Sequence, residues 1–225
     1  PLFVSTLLFN AFGDSFGFSP AIRQWYNAPY GTPLVGDSGW SNAVGYSTPK
    51  FGGLSANALV AAGEGAKGAK GPNYGLNLLY FGDALSFTLA AQRVEAEGVL
   101  GPKIATFPGF SKQWAYQGGI SYKFGPVKLY GQYGEIKTKA TADVDTKNYN
   151  VGFSADVGPG SLLGQYGRSK IDMEGSSFDP KSEMLTVGYM YPLSKRTSLY
   201  GVYMLDKFSG LDDGNTFALG VKHLF

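Results

Sequence analysis

A transmembrane antiparallel up-and-down β-barrel is the fold class this sequence predicts, and three observations predict it. Apolar residues recur with a step of two from about residue 42 to the end, while a step of 3.6 is hard to find. The face that alternates with them is small and uncharged rather than rich in Lys and Glu. Aromatic rings gather at both ends of the apolar rows. With 33 Gly, 15 Tyr and 16 Phe in 225 residues, the composition suits the same all-β reading.

The chain begins with residues 1–40, which carry Phe, Gly, Pro and Trp without sustained alternation. They are read as one long ordered loop, with Leu2 to Phe9 as a further strand in the alternative reading. From residue 41 onward, breakers of two kinds alternate. Short turns stand at 49–53, 82–84, 125–126, 158–160 and 192–195. Longer polar stretches stand at 63–72, 94–112, 136–147, 169–182 and 206–214. Five of each connect eleven strands in a single domain over 41–225.

The clearest strand sets Tyr149, Val151, Phe153, Ala155 and Val157 on one face and Asn148, Asn150, Gly152, Ser154 and Asp156 on the other. The last one sets Phe217, Leu219, Val221, His223 and Phe225 against Thr216, Ala218, Gly220 and Lys222. A soluble sandwich would bury the apolar row and crowd its solvent face with long charged side chains. Here the second face is Asn73, Gly75, Asn77 or Gln117, Gly119, Ser121. Such groups suit a wet lumen, so the apolar row is expected to face lipid. Tyr80, Tyr122, Phe124, Tyr191 and Phe225, beside the short turns or the C-terminus, are candidates for an aromatic girdle. Backbone groups in hydrocarbon have no water to bond, so such a sheet must close.

Composition excludes several chemistries. No Cys means no thiolate metal site and no cysteine nucleophile, and His223 is the sole histidine. That residue falls on the outward face, so no enzymatic role is expected and no cofactor or metal is invoked. A net charge of +2 gives no argument for nucleic acid. Pro1 opens the chain without an initiator Met or a signal-peptide pattern, which reads as a processed or incomplete front end.

Three segments carry a family resemblance: Asn42 to Gly53 (NAVGYSTPKFGG), Leu193 to Tyr200 (LSKRTSLY) and Gly220 to Phe225 (GVKHLF). Together they resemble general diffusion porins of Gram-negative bacteria, particularly the trimeric 16-stranded group of β-proteobacteria. The resemblance implies that the eleven strands are the sixth to sixteenth and that residues 1–40 are the constriction loop folded into the pore. Five strands would then be missing, and the chain is expected to be a fragment with about 100 further residues upstream. It also implies a homotrimer in the bacterial outer membrane, among membrane lipid and lipopolysaccharide, passing small hydrophilic solutes and ions without chemistry. Gly45, Tyr46 and Ser47 depart from the family's frequent Arg, Tyr, Asp, leaving a basic wall position empty.

A pore of this kind sets acidic groups on the loop against basic groups on the wall, and solutes thread the field between them. The loop candidates are Asp14, Arg23 and Asp37. Lys123, Lys128, Gln132 and Lys222 are the wall candidates, with Asp156 and Asp206 on the same face. Each lysine reads equally as a solvated rim residue. Lys222 is the better placed of the three, because Lys123 and Lys128 flank a short turn. Their balance gives a weak anion preference. Asp143, Asp145, Asp172, Glu174, Asp179 and Asp212 with Asp213 populate the long stretches, as a solvated surface or as a cation bridge to lipopolysaccharide. A structural or autotransporter-type barrel is the alternative function; it would hold a helix in the lumen, and residues 1–40, with Pro20, Pro29 and Pro33, read poorly as a helix. An outer-membrane hydrolase is a third reading.

Overall fold

The computed structural model describes residues 2–13, 17–27, 33–36, 40, 42–62, 71–95 and 109–224. It contains two short helices, α1 (Leu2–Leu8) and α2 (Pro20–Tyr26), followed by eleven strands. The strands are β1 (Ala43–Ser47), β2 (Leu54–Ala61), β3 (Asn73–Phe81), β4 (Leu85–Glu95), β5 (Lys112–Phe124) and β6 (Val127–Lys139). They continue as β7 (Val144–Val157), β8 (Gly160–Met173), β9 (Lys181–Pro192), β10 (Thr197–Phe208) and β11 (Gly214–His223). All pair antiparallel in sequence order, so the expected up-and-down meander of eleven strands is present. Among the described residues β1 and β11 are the two edges of the sheet.

Turn chemistry sets the tight ends. Gly125 and Gly158 take positive φ, +55° and +59°, in the hairpins β5–β6 and β7–β8, a conformation that a Cβ would strain. The pleat then sorts the side chains. On β7, Val151 is 60% exposed on the outer face while Asn150 is 4% exposed on the inner one. The same inversion runs along β3 to β10: Leu76, Leu89, Ile120, Leu129 and Val187 are exposed, whereas Asn77, Thr88, Gln117, Gln132 and Thr186 are buried. A water-soluble protein would bury the first set, so this surface calls for an apolar surrounding. No described helix is long and apolar enough to cross a membrane, which leaves crossing by strands open.

Two expectations need correction. Leu2 to Phe9 is not a strand, and the stretch from residue 1 to 40 is not irregular throughout, since α1 and α2 lie in it. Pro20 does not prevent the second helix, because it occupies the first turn, where its missing N–H has no partner to lose. Seven-residue helices are too short to show a 3.6-residue period. The second correction concerns the longer stretches: 136–147 shrinks to 140–143, 169–182 to 174–180 and 206–214 to 209–213. Alternation persists there, with Ile136, Thr138, Val144 and Thr146 buried inside. The outer positions become Glu135, Lys137, Asp145 and Lys147, which is why hydropathy alone reads these residues as loop.

Candidate functional site

The inner wall and the segment lying on it form the candidate site. Asn10 and Ser19 shape that segment. The Asn10 amide donates to the Thr6 and Leu7 carbonyls at the end of α1, 2.9 and 3.2 Å away. Its Oδ1 accepts from the Ser19 hydroxyl at 3.1 Å. Ser19 is also the N-cap of α2, its Oγ accepting from the Ile22 amide. One buried amide thus ties the end of the first helix to the start of the second.

The amphipathic face of α2 is then pressed to the wall. Ile22, Trp25 and Tyr26 cluster with Leu34 and with the inward apolar residues Ala90, Ala115 and Ile136 of β4, β5 and β6. Glycines on the inner face make the seats. A Cβ at Gly134 would stand 2.6 Å from Trp25 Cη2, and one at Gly119 would stand 3.0 Å from Phe9 Cβ. Polar wall residues complete the attachment. Gln132 Nε2 donates to the Thr6 carbonyl at 2.8 Å, the Thr6 hydroxyl donates to Gln117 Oε1 at 3.1 Å, and Thr88 donates to Ser5 at 2.8 Å. Gln113 binds the backbone on both sides of Leu34, accepting from the Val35 amide at 3.0 Å and donating to the Pro33 carbonyl at 3.0 Å. Gln92 donates to the Val35 carbonyl at 2.7 Å, Asn150 to Gln24 Oε1 at 2.8 Å, and Thr186 to the Phe18 carbonyl at 2.8 Å.

Among the sequence candidates, Asp14, Asp37 and Phe225 lie outside the described residues. Arg23 meets Asp206 of β10 at 3.3 Å. In this described contact the basic partner is on the infolded segment and the acidic one on the wall, the reverse of the expected polarity. Gln132 is buried under α1 rather than lining open water. Lys123 and Lys128 oppose each other beside the β5–β6 turn, with the Lys128 ammonium 5.1 Å from the Tyr130 ring. Lys222 pairs with Ser198 at the foot of β10, so it too sits at the short-turn end. Its expected advantage over the other two disappears, because the turn at 193–196 lies directly below it. Asp156 is at that end as well, accepting from Ser161 at 3.2 Å. Tyr80, Tyr122, Phe124 and Tyr191 stand on the outer face next to the short turns. His223 is on the outer side, 2.9 Å from Thr197 Oγ1.

Sequence reasoning missed the fastening roles of Gln92, Gln113, Gln117, Asn150 and Thr186 and the seats at Gly119 and Gly134. The signal was present: long amides recur at inward positions of neighbouring strands, beside inward glycines, which a lumen lined only by water does not require. Among the described residues no group of three or more His, Asp or Glu could hold a metal ion.

A family model of the Gram-negative porins matches residues 4–211. Outer membrane porin protein 32 of Delftia acidovorans is 31% identical over 194 residues, covering 82% of this chain and 50% of the relative. The solved anion-selective porin from Comamonas acidovorans is 26% identical with a TM-score of 0.64, over 81% of this chain and 59% of that one. Outer-membrane expressed OmpT of Vibrio cholerae shares the fold at 14% identity, with a TM-score of 0.72 over 97% and 73% of the two chains. This chain therefore spans about half the length of the curated relative it matches. An outward apolar face, a polar inner wall carrying a folded-in segment, and a family match over most of the sequence have one reading: the chain belongs to the Gram-negative porin family of the bacterial outer membrane.

Proposed function

We propose that this chain forms part of the wall and the constriction of a water-filled channel for passive diffusion of small hydrophilic solutes and ions, with weak anion preference. The observation that carries the reading is the segment of α1 and α2 fixed to the inner wall by Gln132, Asn150, Thr186 and the Arg23–Asp206 pair. A fixed constriction narrows a pore without chemistry, and no catalysis is assigned to the chain. The anion preference follows from charge. Arg23 occupies Asp206, which leaves Lys123, Lys128 and Lys222 against Asp156 at the short-turn mouth. The Comamonas relative, named as anion-selective, agrees in sign. Tyr80, Tyr122, Phe124 and Tyr191 would form the girdle at the same end. The channel would sit among membrane lipid and lipopolysaccharide as a homotrimer, a state supported by family resemblance alone.

A structural or autotransporter-type barrel gains something from the helices, since helix lies inside the sheet after all. Each is seven residues, about 10 Å long, and lies along the wall rather than forming a continuous plug. The test is planar-bilayer recording of the full-length protein under a salt gradient. Conductance in three equal steps with a reversal potential of anionic sign is expected; a silent protein or clear cation selectivity contradicts the proposal.

A further inference from the structure

Several inward apolar residues of the wall, among them Ile136, Ile171, Met184 and Met204, are buried. Leu163 and Met190 point inward as well, yet each is only half-buried. They border a recess of about 630 Å³ between the infolded segment and β8 to β11, on the short-turn side of α2. The register explains its shape. In one row across the sheet Leu163 faces Gly188 and Gly188 faces Val202; the next row toward the short turns sets Ser161, Met190, Tyr200 and Gly220 side by side. Gly188 keeps the floor low, and the Phe12 ring rests there, its Cε1 3.2 Å from where a Cβ would stand. Thr186 of the same strand holds the Phe18 carbonyl at 2.8 Å, which brings a second ring to the rim. Gly220 acts in the same way on β11, because the Tyr200 hydroxyl lies where its Cβ would be. Lys222 is the next inward position on that strand, about 7 Å further toward the turn. It is exposed and forms no ion pair among the described residues. Asp156, the carboxylate in the Met190 row, is four strands away on β7, about 19 Å around the wall, and accepts from Ser161.

We infer that this recess is a binding subsite for a small carboxylate with an apolar body. The ring or short alkyl group lies against Phe12, Leu163 and Met190, and the carboxylate meets the Lys222 ammonium and the Tyr200 hydroxyl. An apolar surface with a few convergent polar groups at one end is how small-molecule sites are built, and the volume suits one such solute. The apolar side chains decide the class of ligand. A hydrated inorganic anion gains nothing from Leu163 or Met190, whereas a phenyl or alkyl group gains by leaving water there. The sign of the charge decides the rest, since a cation would meet Lys222 with no carboxylate in reach. The inference deepens the proposed pore function and rests on it for access: a solute passing the constriction would pause beside β8 to β11, so the channel would favour amphiphilic anions over polar ones of equal size.

The test is planar-bilayer recording of the full-length protein in chloride, with phenylacetate, acetate or neutral 2-phenylethanol added to both compartments. Phenylacetate should halve the chloride current at a concentration roughly 30-fold below that of acetate, and 2-phenylethanol should block far more weakly than phenylacetate. In a protein carrying both Leu163→Gln and Met190→Gln, the preference for phenylacetate over acetate should fall to roughly fivefold or less. Lys222→Gln should raise the half-blocking concentration of phenylacetate about tenfold, and Lys222→Arg should keep it within about threefold of the parent. A conducting parent that acetate and phenylacetate block within threefold of each other would overturn the site, and that comparison needs no variant to fold. An unchanged preference in the double Gln protein would overturn the assignment to Leu163 and Met190. Equal block by 2-phenylethanol and phenylacetate would overturn the role of Lys222. A parent that carries no current is instead the failure of the pore reading, and the subsite falls with it.

Discussion

Trp25 is fully buried between α2 and the wall, and removing it should loosen α2 from the wall. The indole is fully buried, closed in by Ala90, Ala115 and Ile136, with Gly134 beneath it. Truncating such a residue to Ala costs about 3 to 5 kcal/mol where the surroundings cannot collapse. The Arg23–Asp206 pair and the Asn150–Gln24 bond remain, so the segment should still dock, but less tightly. At about 1.4 kcal/mol per decade, the population of detached segment rises at least about 100-fold. The chain has no cysteine, so one placed at the fully buried Ala21 reports that population directly. In Trp25→Ala, the rate at which a water-soluble thiol reagent modifies Cys at position 21 should rise by about that factor. A rate within threefold of the parent would refute the argument that packing against the wall holds the helix. Gly134→Ala should move the rate in the same direction, because its Cβ would lie 2.6 Å from Trp25 Cη2.

Asp206→Asn removes the charge partner of Arg23 and leaves an uncompensated guanidinium on the infolded segment, so the reversal potential should move toward anions. Arg23→Gln should move it the opposite way, and the double variant, which lacks both charges, should lie between the two singles; its departure from the sum of the single shifts measures their interaction. At the outer surface, the hydrogen-bonded Lys139 ammonium holds the Asp143 carboxyl below the usual aspartate range. A carboxyl depressed in the folded state stabilises it above the unfolded value, and that contribution is lost as pH falls below about 4. The carboxyl ¹³C titration of Asp143 should therefore have a depressed midpoint, and Lys139→Met should return it to the ordinary value.

The fold was legible because a two-residue period and a two-way division of breakers are both properties of short windows of sequence. Tyr149 to Val157 alone states which face is apolar, and Gly125-Pro126 alone states where the chain reverses. Strand ends were less legible, since Glu135, Lys137 and Lys147 belong to strands whose outer face has left the hydrocarbon. The attachment of the infolded segment was not legible at all. That Gln132 reaches the Thr6 carbonyl, or that Arg23 meets Asp206, depends on contacts across more than 100 residues of chain, which no local pattern encodes. Arg23 and Asp206 were both recognisable as lumen charges, yet nothing in either neighbourhood says that they cancel each other. Lys222 was misjudged for a related reason: distance from the terminus is a poor guide to depth when the facing turn, 193–196, is not taken into account.

The central claim is the direction in which the two faces of the sheet look. A polarity-sensitive fluorophore attached in turn at residues 149 to 153 of the full-length protein in bilayers, with a quencher carried on the lipid chains, reads it directly. Strong quenching at 149, 151 and 153 with little at 150 and 152 is the predicted alternation. The opposite phase, or uniform quenching along the strand, would contradict the account.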